Sequence, residues 1–362
     1  MTLLSRYLLK RNLFLLLVLL GIGTGIYILS ELFQRIDVFL DAGHGAGMIA
    51  LYFLVKLPII ISRILPAIFL LGLVLQFSLM NRSRETIALE AGGVSPSSKL
   101  KFVLAYGLIL GCMQFAFAQF LGVAGERYST DLWQNQVKKR TASYYAIESL
   151  WFTKGPYVVH LEKAWPNSEE ATGVTIYELT DGGQGIERIF RAPKAKTGKR
   201  DWVLENVSVV SPGSYVVAHT EKEHVPVLQD LNTFKTFEPK STPAESTISD
   251  LMTNIRLLEE AGTNVEILRT EFHGRFAYSA SLVVMSILGL VITMRTTNLY
   301  VGVLAALVCT FFYFILSSFF SSMGESGTIS PIAAAWTPDA IFFLLSAGYL
   351  AYNWWKTMRR KL

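Results

Sequence analysis

The sequence contains little cysteine and little charge. Cys112 and Cys309 are the only cysteines among its 362 residues, and both lie inside long apolar runs. Any segment between those runs therefore folds without a disulfide and depends on its own hydrophobic core. Charged residues make up 17% of the chain and hydrophobic residues 51%, a balance that excludes an ordinary soluble protein.

The motifs of several enzyme classes are also missing. The chain has no GxxxxGK[ST] phosphate-binding loop, no HExxH helix and no Cys/His spacing typical of zinc sites. His219 and His224 stand five residues apart in a stretch rich in Glu and Lys, which favours a solvated strand end over a metal site. The sequence therefore predicts no catalytic residue, no metal site and no cofactor, and ATP hydrolysis would need a separate subunit.

Apolar residues are concentrated in six runs. A helix of about 20 apolar residues crosses the hydrocarbon core of a bilayer, and the predicted spans are 12–31, 49–79, 101–123, 276–294, 299–320 and 337–355. The second run is longer than one crossing needs and contains Pro58 and Pro66, which predicts a kinked or tilted helix. The predicted fold class is therefore membrane α-helical, with six transmembrane helices.

Basic residues are distributed unevenly along the chain. The segment 125–270 carries 17 basic and 20 acidic residues, whereas the rest of the chain carries 16 and 8. Much of this basic excess flanks the spans, and short basic loops stay in the cytoplasm. Both termini, the loop 80–100 and the turn 295–298 are therefore predicted to be cytoplasmic. The segment 125–270 and the loops 32–48 and 321–336 are predicted to be outside. Nucleic-acid binding is not predicted, because the basic residues lie beside the membrane.

The large outer segment shows the pattern of a β domain. Between Tyr144 and Val227, short runs of alternating residues such as 157–162 are separated by clusters of Gly, Pro, Asn and Asp. Regular short strands with such turns are typical of a sandwich, a jelly roll or an open barrel. A polar linker at 238–246 then ends the β pattern.

Helical patterns follow the linker. Apolar residues from Leu251 to Leu258 recur at i, i+4 and i+7, and Gly262 is the expected glycine after the helix end. Thr263 precedes Glu266 by three residues, which predicts a capping box at the start of the next helix. The predicted domains are 1–124 with the first three spans, 125–270 with the β domain and its helical connector, and 271–362 with the last three spans.

The cytoplasmic segment 81–93 is predicted to form a short helix. Glu85 lies near its N-terminus, where the helix dipole favours an anion, and Ile87, Ala88 and Ala91 share one face. Two glycines end the segment. Two interpretations remain open: a simple linker between spans, or a coupling helix that docks in a cleft of a separate ATPase.

Charged side chains are predicted in the outer parts of two spans. Lys56 and Arg63 are seven residues apart and share nearly the same face of span two, and Arg275 forms an i, i+4 pair with Glu271. A charge inside a span is costly and usually faces a cavity or a partner. For Arg63 the partner is either a lipid phosphate or an acid such as Glu31 or Glu271, whereas Lys56 could instead snorkel to the interface. Lys56 is expected to lie nearer to bulk water than Arg63.

Taken together, several motifs resemble the LptF/LptG family of lipopolysaccharide-export ABC permeases over nearly the whole chain. In chain order they are the Pro66-containing second span, Ser83-Arg84-Glu85, Glu90-Ala91-Gly92-Gly93, Glu271-Phe272-His273-Gly274-Arg275-Phe276-Ala277, Gly327-Thr328-Ile329-Ser330-Pro331-Ile332 and Ala335-Trp336-Thr337-Pro338. Their order around a β domain is specific to that family. The sequence departs from the family in two places. Only Arg35 follows the first span, where the family has several basic residues, and Ser279 replaces a proline.

The resemblance implies a function, its residues and its partners. It implies an inner-membrane permease with a periplasmic β-jellyroll-like domain, which extracts lipopolysaccharide from the outer leaflet and passes it to an LptA-type bridge. The implied partners are an LptB-type ATPase dimer, a second permease of the F or G type and an LptC-type single-span protein. The terminal spans are more similar to the G type. Arg84, Glu85, Ile87 and Glu90 would couple to the ATPase, and Arg35, Lys56, Arg63 and Arg275 would contact the lipid.

Two other functions fit the same sequence pattern. The chain could export another lipid or a glycolipid with the same architecture. It could instead be a membrane scaffold or sensor whose periplasmic β domain binds a protein.

Overall fold

A computed structural model describes residues 3–93, 96–137, 147–165, 168–180, 185–198, 201–212, 216–231, 234, 243–260 and 262–359. The chain divides into two compact units. The membrane unit consists of Met1–Leu132 and Arg269–Leu362, and the β unit consists of Trp133–Leu268.

The membrane unit is built from long apolar helices. They are α1 (Leu3–Asp41), α2 (Ala46–Arg82), the short α3 (Glu85–Ala91), α4 (Pro96–Phe117), α5 (Val123–Asp131), α7 (Glu266–Arg295), α8 (Leu299–Glu325) and α9 (Pro331–Arg359), with α6 (Ile248–Glu260) in the β unit. A π-helical segment, Ala118–Gly122, joins α4 to α5. In the described part of the chain, six helical segments are long and apolar enough to cross a membrane, which confirms the predicted number of spans.

The helices extend further than their apolar runs. The prediction of outer loops at 32–48 and 321–336 was wrong in extent, because α1 continues to Asp41 and α8 continues to Glu325. Polar residues end the hydrophobic run of a helix without ending its backbone hydrogen bonds, so a helix continues beyond the hydrocarbon layer. The actual connection after α1 is a tight turn in which Gly43 has a φ of 75°.

Helix α2 lies at the centre of the membrane unit. Pro58 and Pro66 both lie inside it, and the helix is continuous through both. Its fully buried Phe69, Leu70 and Leu73 belong to the same core cluster as Leu282 and Met285 of α7. Small residues allow close approach of the helices elsewhere in this unit.

Two glycines mark these close approaches. A Cβ atom added at Gly125 of α5 would lie 2.5 Å from the carbonyl oxygen of Val55 in α2. One added at Gly111 of α4 would lie 2.7 Å from the carbonyl oxygen of Ser279 in α7. The third span therefore packs directly against the backbone of both neighbours.

The β unit contains one antiparallel sheet in the described residues. Its strands are β1 (Ile147–Lys154), β2 (Tyr157–Trp165), β3 (Glu170–Leu179), β4 (Ile186–Thr197), β5 (Trp202–Ser211) and β6 (Val216–Val225), paired in sequence order. Tyr157, Val159 and Leu161 are buried and alternate with partly exposed neighbours, as their pattern predicts. Leu161 pairs with Leu150 on one side and Val174 on the other. The sheet confirms the prediction of an inserted β domain and is consistent with a jellyroll-like fold.

The segment after the sheet differs from its prediction in one detail. Helix α6 buries Leu251 and Leu258, and Gly262 ends it with a φ of 69°, as predicted. The capping box was wrong, because the Thr263 hydroxyl donates to the carbonyl oxygen of Leu258. Asn264 caps the next helix instead, and its Oδ1 accepts from the Glu266 amide at 2.8 Å. The predicted linker at 238–246 lies outside the described residues up to Thr242, as do the turn residues Pro166–Asn167, Asp181–Gly183 and Gly213–Ser214.

Candidate coupling and lipid sites

Helix α3 is an exposed projection of the membrane unit between α2 and α4. It has seven residues, none of them buried, and Ile87 has 64% of its surface exposed. Arg84 precedes it in the left-handed conformation with a φ of 57°, and Gly93 follows it with a φ of 84°. These two residues turn the chain out of α2 and back toward α4. The apolar face containing Ile87 therefore stands in solvent.

The Glu85 carboxylate is held by three donors. Ser83 donates to its Oε1 at 2.8 Å, Tyr7 donates to its Oε2 at 2.9 Å, and an Arg11 nitrogen lies 3.0 and 3.1 Å from its two oxygens. Burial opposes ionisation, but hydrogen bonds from Ser83, Arg11 and Tyr7 outweigh it and hold the pKa of Glu85 below its ordinary value. Glu85 is therefore a charged and oriented acid at neutral pH.

Two further contacts fix α3 to the neighbouring helices. The Glu90 carboxylate lies 2.9 Å from Lys99 of α4. Thr86 donates to the Asn81 side chain at 2.7 Å, and Asn81 donates to the carbonyl oxygen of Thr293 in α7 at 3.3 Å. Movement of α3 is therefore linked to α2, α4 and α7 together.

A second polar cluster lies between the last third of α1 and the first third of α2. Glu31 accepts from Lys56 at 2.5 Å and from Tyr52 at 3.2 Å, and it forms an ion pair with Arg35 at 2.9 Å. Lys56 and Glu31 are both buried, and Lys56 also donates to Tyr52 at 3.1 Å. Glu31, an acid that was considered as the partner of Arg63, is thus the partner of Lys56.

Arg63 has a different environment from Lys56. Its guanidinium lies 3.4 Å from Glu126 of α5. The exposed fraction of its side chain is 44%, against 8% for Lys56. Glu31 and Tyr52 cover Lys56, whereas nearly half of the Arg63 side chain is exposed. The expectation that Lys56 lies nearer to bulk water than Arg63 stays a prediction.

Arg275 is paired on two sides. It donates to Glu271 at 3.0 Å, as its i, i+4 spacing predicts, and to Gln119 at 3.1 Å. Gln119 belongs to the π-helical segment of span three. Such segments shift the register of a helix and are frequent at functional sites. Only 11% of the Arg275 side chain is exposed.

The structure thus separates the residues singled out in the sequence into two groups. The first group lies on or next to α3 and consists of Arg84, Glu85, Ile87 and Glu90. The second group lies in the spans. In this group Arg35 and Lys56 share one cluster, and Arg63 and Arg275 form ion pairs with residues of α5 and α7. The sequence did not indicate Tyr7, Arg11, Tyr52 and Glu126 as their partners. The basic residues at the start of span one could have indicated Arg11 as a partner of Glu85, but they were used only to predict the topology.

Comparison with known proteins gives the family. The sequence profile of the lipopolysaccharide export system permease LptF/LptG matches residues 6–353. The chain belongs to the LptF/LptG family. Two relatives named "Lipopolysaccharide export system permease protein LptG", from Escherichia coli strains K12 and O6:H1 CFT073, are each 23% identical over 339 residues, which cover 88% of this chain and 90% of the relative. As a member of the LptF/LptG family with six membrane-capable helices, this chain is a multi-pass membrane protein, and the match includes every candidate residue above.

Proposed function

We propose that this chain is a G-type permease subunit of an inner-membrane ABC transporter that exports lipopolysaccharide. The family match supports this proposal, since it covers both the membrane unit and the β unit. In this proposal the termini and α3 lie in the cytoplasm, and the β unit lies in the periplasm. A second permease of the F type, an LptB-type ATPase dimer and an LptC-type single-span protein complete the transporter.

The observation that carries the coupling role is the geometry of α3. A linker helix would need no exposed apolar face, but α3 presents Ile87 to solvent next to the oriented Glu85 carboxylate. An amphipathic helix docks in a groove through such apolar anchors. Glu85 would then face a cation of the ATPase, and the chain itself would hydrolyse no ATP.

A charge reversal at Glu85 tests this role. Glu85→Lys places like charges at the interface, and loss of one partner of a desolvated charge pair costs about 2–5 kcal/mol. We expect the ATPase no longer to co-purify with the complex in mild detergent, while the permease pair stays assembled. The control is Glu187→Lys, the same change at an exposed residue of β4 in the β unit.

The rescue experiment identifies the partner. Reversing the charge of the facing ATPase residue in the Glu85→Lys background should restore association. ATPase binding at the wild-type level in Glu85→Lys would make α3 a linker and would remove the coupling role.

The lipid site is proposed in the outer halves of the spans. Lipopolysaccharide carries phosphates beside several acyl chains, so its site needs cations at the rim of an apolar cavity. Arg63 and Arg35 have the most exposed side chains of the four candidate cations, at 44% and 32%. We therefore assign the phosphate contacts first to these two residues. Lys56 and Arg275 would act mainly by holding the helices in place.

The β unit would pass the lipid onward. Strand β6 is the last in the sheet order, and its residues 217–222 are exposed, including Val217. A partner β domain can add a strand at such an edge. An LptC-type or LptA-type protein bound there would extend the sheet and receive the acyl chains. Transport assays with lipopolysaccharide and with other glycolipids distinguish this substrate from another lipid handled by the same architecture.

A further inference from the structure

The membrane unit contains a large cavity that the proposed transport cycle does not use. It has a volume of about 860 Å³ and lies at the end of the unit that carries α3. Its walls come from the last turns of α2, α7 and α9, the first turns of α4, and α3 itself. Pockets that bind small organic ligands have volumes of about 300–1,000 Å³, so this cavity is large enough for a ligand.

The lining is mostly apolar, with several polar residues among it. Phe77, Leu100, Leu290 and Leu350 provide the apolar wall, and Trp354 lines the cavity with 67% of its surface exposed. The ion pair between Lys99 and Glu90 also forms part of the lining. A cavity of this kind fits an amphipathic molecule whose apolar part enters between the helices.

Basic residues surround the cavity on four elements. Arg82, Lys101, Arg295 and Lys356 are exposed, and each lies within two positions of a residue that lines the cavity. Lys99 and Glu90, which line the cavity, neutralise each other. The surroundings are therefore cationic, and basic pockets between membrane helices on the cytoplasmic side favour anionic phospholipid head groups.

We propose that this cavity binds an acyl chain of an anionic phospholipid from the cytoplasmic leaflet, with the head group among Arg82, Lys101, Arg295 and Lys356. This inference rests on the proposed orientation of the chain. The ligand is a lipid of the surrounding membrane, distinct from the exported lipid, which would bind in the outer halves of the spans.

The position of the cavity gives the lipid a specific role. Thr86, Ile87 and Glu90 of α3 form part of its wall, so the bound chain packs between α3 and the membrane helices. The lipid would contact α3 directly, next to the exposed Ile87 that is proposed to meet the ATPase. Anionic lipid content would then set how firmly the coupling helix is held.

The test uses the complete transporter in nanodiscs and a phosphatidylglycerol probe with a photoreactive group in its acyl chain. Labelled peptides are identified by mass spectrometry. We expect labels on the cavity segments of α4, α7 and α9, and weaker labelling by a phosphatidylcholine probe of the same chain length. Each basic residue near a membrane surface contributes a factor of about five to anionic lipid affinity. The double variant Lys101→Glu/Arg295→Glu should therefore lose more than about tenfold in labelling.

Variants of α9 make the test specific to the cavity. Ala351 lines the cavity from an exposed position, so Ala351→Trp fills it without disturbing the core. Gly348 lies three residues away, and a Cβ added there meets no atom within 4 Å, so Gly348→Trp is the matched control. We expect Ala351→Trp to abolish labelling of the cavity segments and Gly348→Trp to retain it.

Three outcomes would overturn the proposal: equal labelling by both probes, unchanged labelling in Ala351→Trp, or labelling of these segments by a lipopolysaccharide probe instead. ATPase co-purification and lipopolysaccharide export are measured in the same preparations. Loss of the proposed function would appear as absent export with intact phosphatidylglycerol labelling, whereas failure of this inference would leave export intact without cavity labelling.

Discussion

At the scale of single residues, Lys56 and Arg63 show how neighbouring cations on one helix differ in role. Lys56 is buried against Glu31 and Tyr52, whereas nearly half of the Arg63 side chain is exposed. Removing one partner of a buried ion pair leaves an uncompensated charge and costs about 3–5 kcal/mol. The exposed Arg63 can change partner at a much lower cost.

This difference in burial predicts different defects for the two alanine variants. Lys56→Ala should lower the thermal stability and the yield of the purified permease, because Glu31 loses a buried cation. Arg63→Ala should leave stability nearly unchanged and reduce photocrosslinking to lipopolysaccharide. Fluorescence-detected melting and crosslinking yield measure the two effects. The same phenotype in both variants would contradict the separation, and Lys56→Ala/Glu31→Ala should be less destabilising than the sum of the single changes.

The sequence indicated that cations inside span two need partners, but it did not determine which acids pair with them. Glu31 and Lys56 are 25 residues apart on two helices, and their contact depends on where α1 ends and α2 begins. That hairpin is set by Gly43 and by helices that extend beyond their apolar runs. The partner of Arg63 was not among the acids considered, because Glu126 was assigned to the outer domain whereas α5 continues span three.

At the scale of helices, the close contact between α2 and α5 depends on Gly125. A Cβ at this position would lie 2.5 Å from the Val55 carbonyl oxygen, so the helices must separate to accept one. Gly274 in α7 is the matched control, since a Cβ there meets nothing within 4 Å.

We therefore expect Gly125→Ala to lower the melting temperature and to weaken the contact between Arg63 and Glu126. Overpacking of this kind costs about 1–3 kcal/mol. Gly274→Ala should be neutral or slightly stabilising, because alanine has the higher helix propensity. Equal melting temperatures for the two variants would show that α5 shifts freely against α2. The periodic patterns predicted the helices themselves, but these backbone contacts depend on how the helices are rotated, which periodicity leaves open.

At the scale of the whole molecule, the orientation of the chain depends on the distribution of basic residues. After replacement of Cys112 and Cys309 by alanine, single cysteines at Gly93 and Lys356 should resist an impermeant thiol reagent in spheroplasts. A cysteine at Glu221 in exposed β6 should react. Mass-tagged gel shifts measure the labelling, and permeabilised cells provide the control for reactivity. Labelling of Gly93 in intact spheroplasts would reverse the proposed topology and separate α3 from a cytoplasmic ATPase.

The length and continuity of helix α2 also have a mechanical consequence. Its 37 residues form one unbroken rod of about 55 Å, at about 1.5 Å per residue. The rod carries Lys56 in its first half and Arg63 near its middle, and it leads through Arg82 to α3 at its other end. A tilt imposed on α3 by the ATPase would therefore displace the lipid-facing end in the opposite direction, as in a lever. Pro58 lies between Lys56 and Arg63, and Pro66 lies between Arg63 and α3. Each proline removes a backbone hydrogen bond, so the rod bends first around these two residues. The stiffness of this segment would set how much of the movement of α3 reaches the proposed lipid-binding cations.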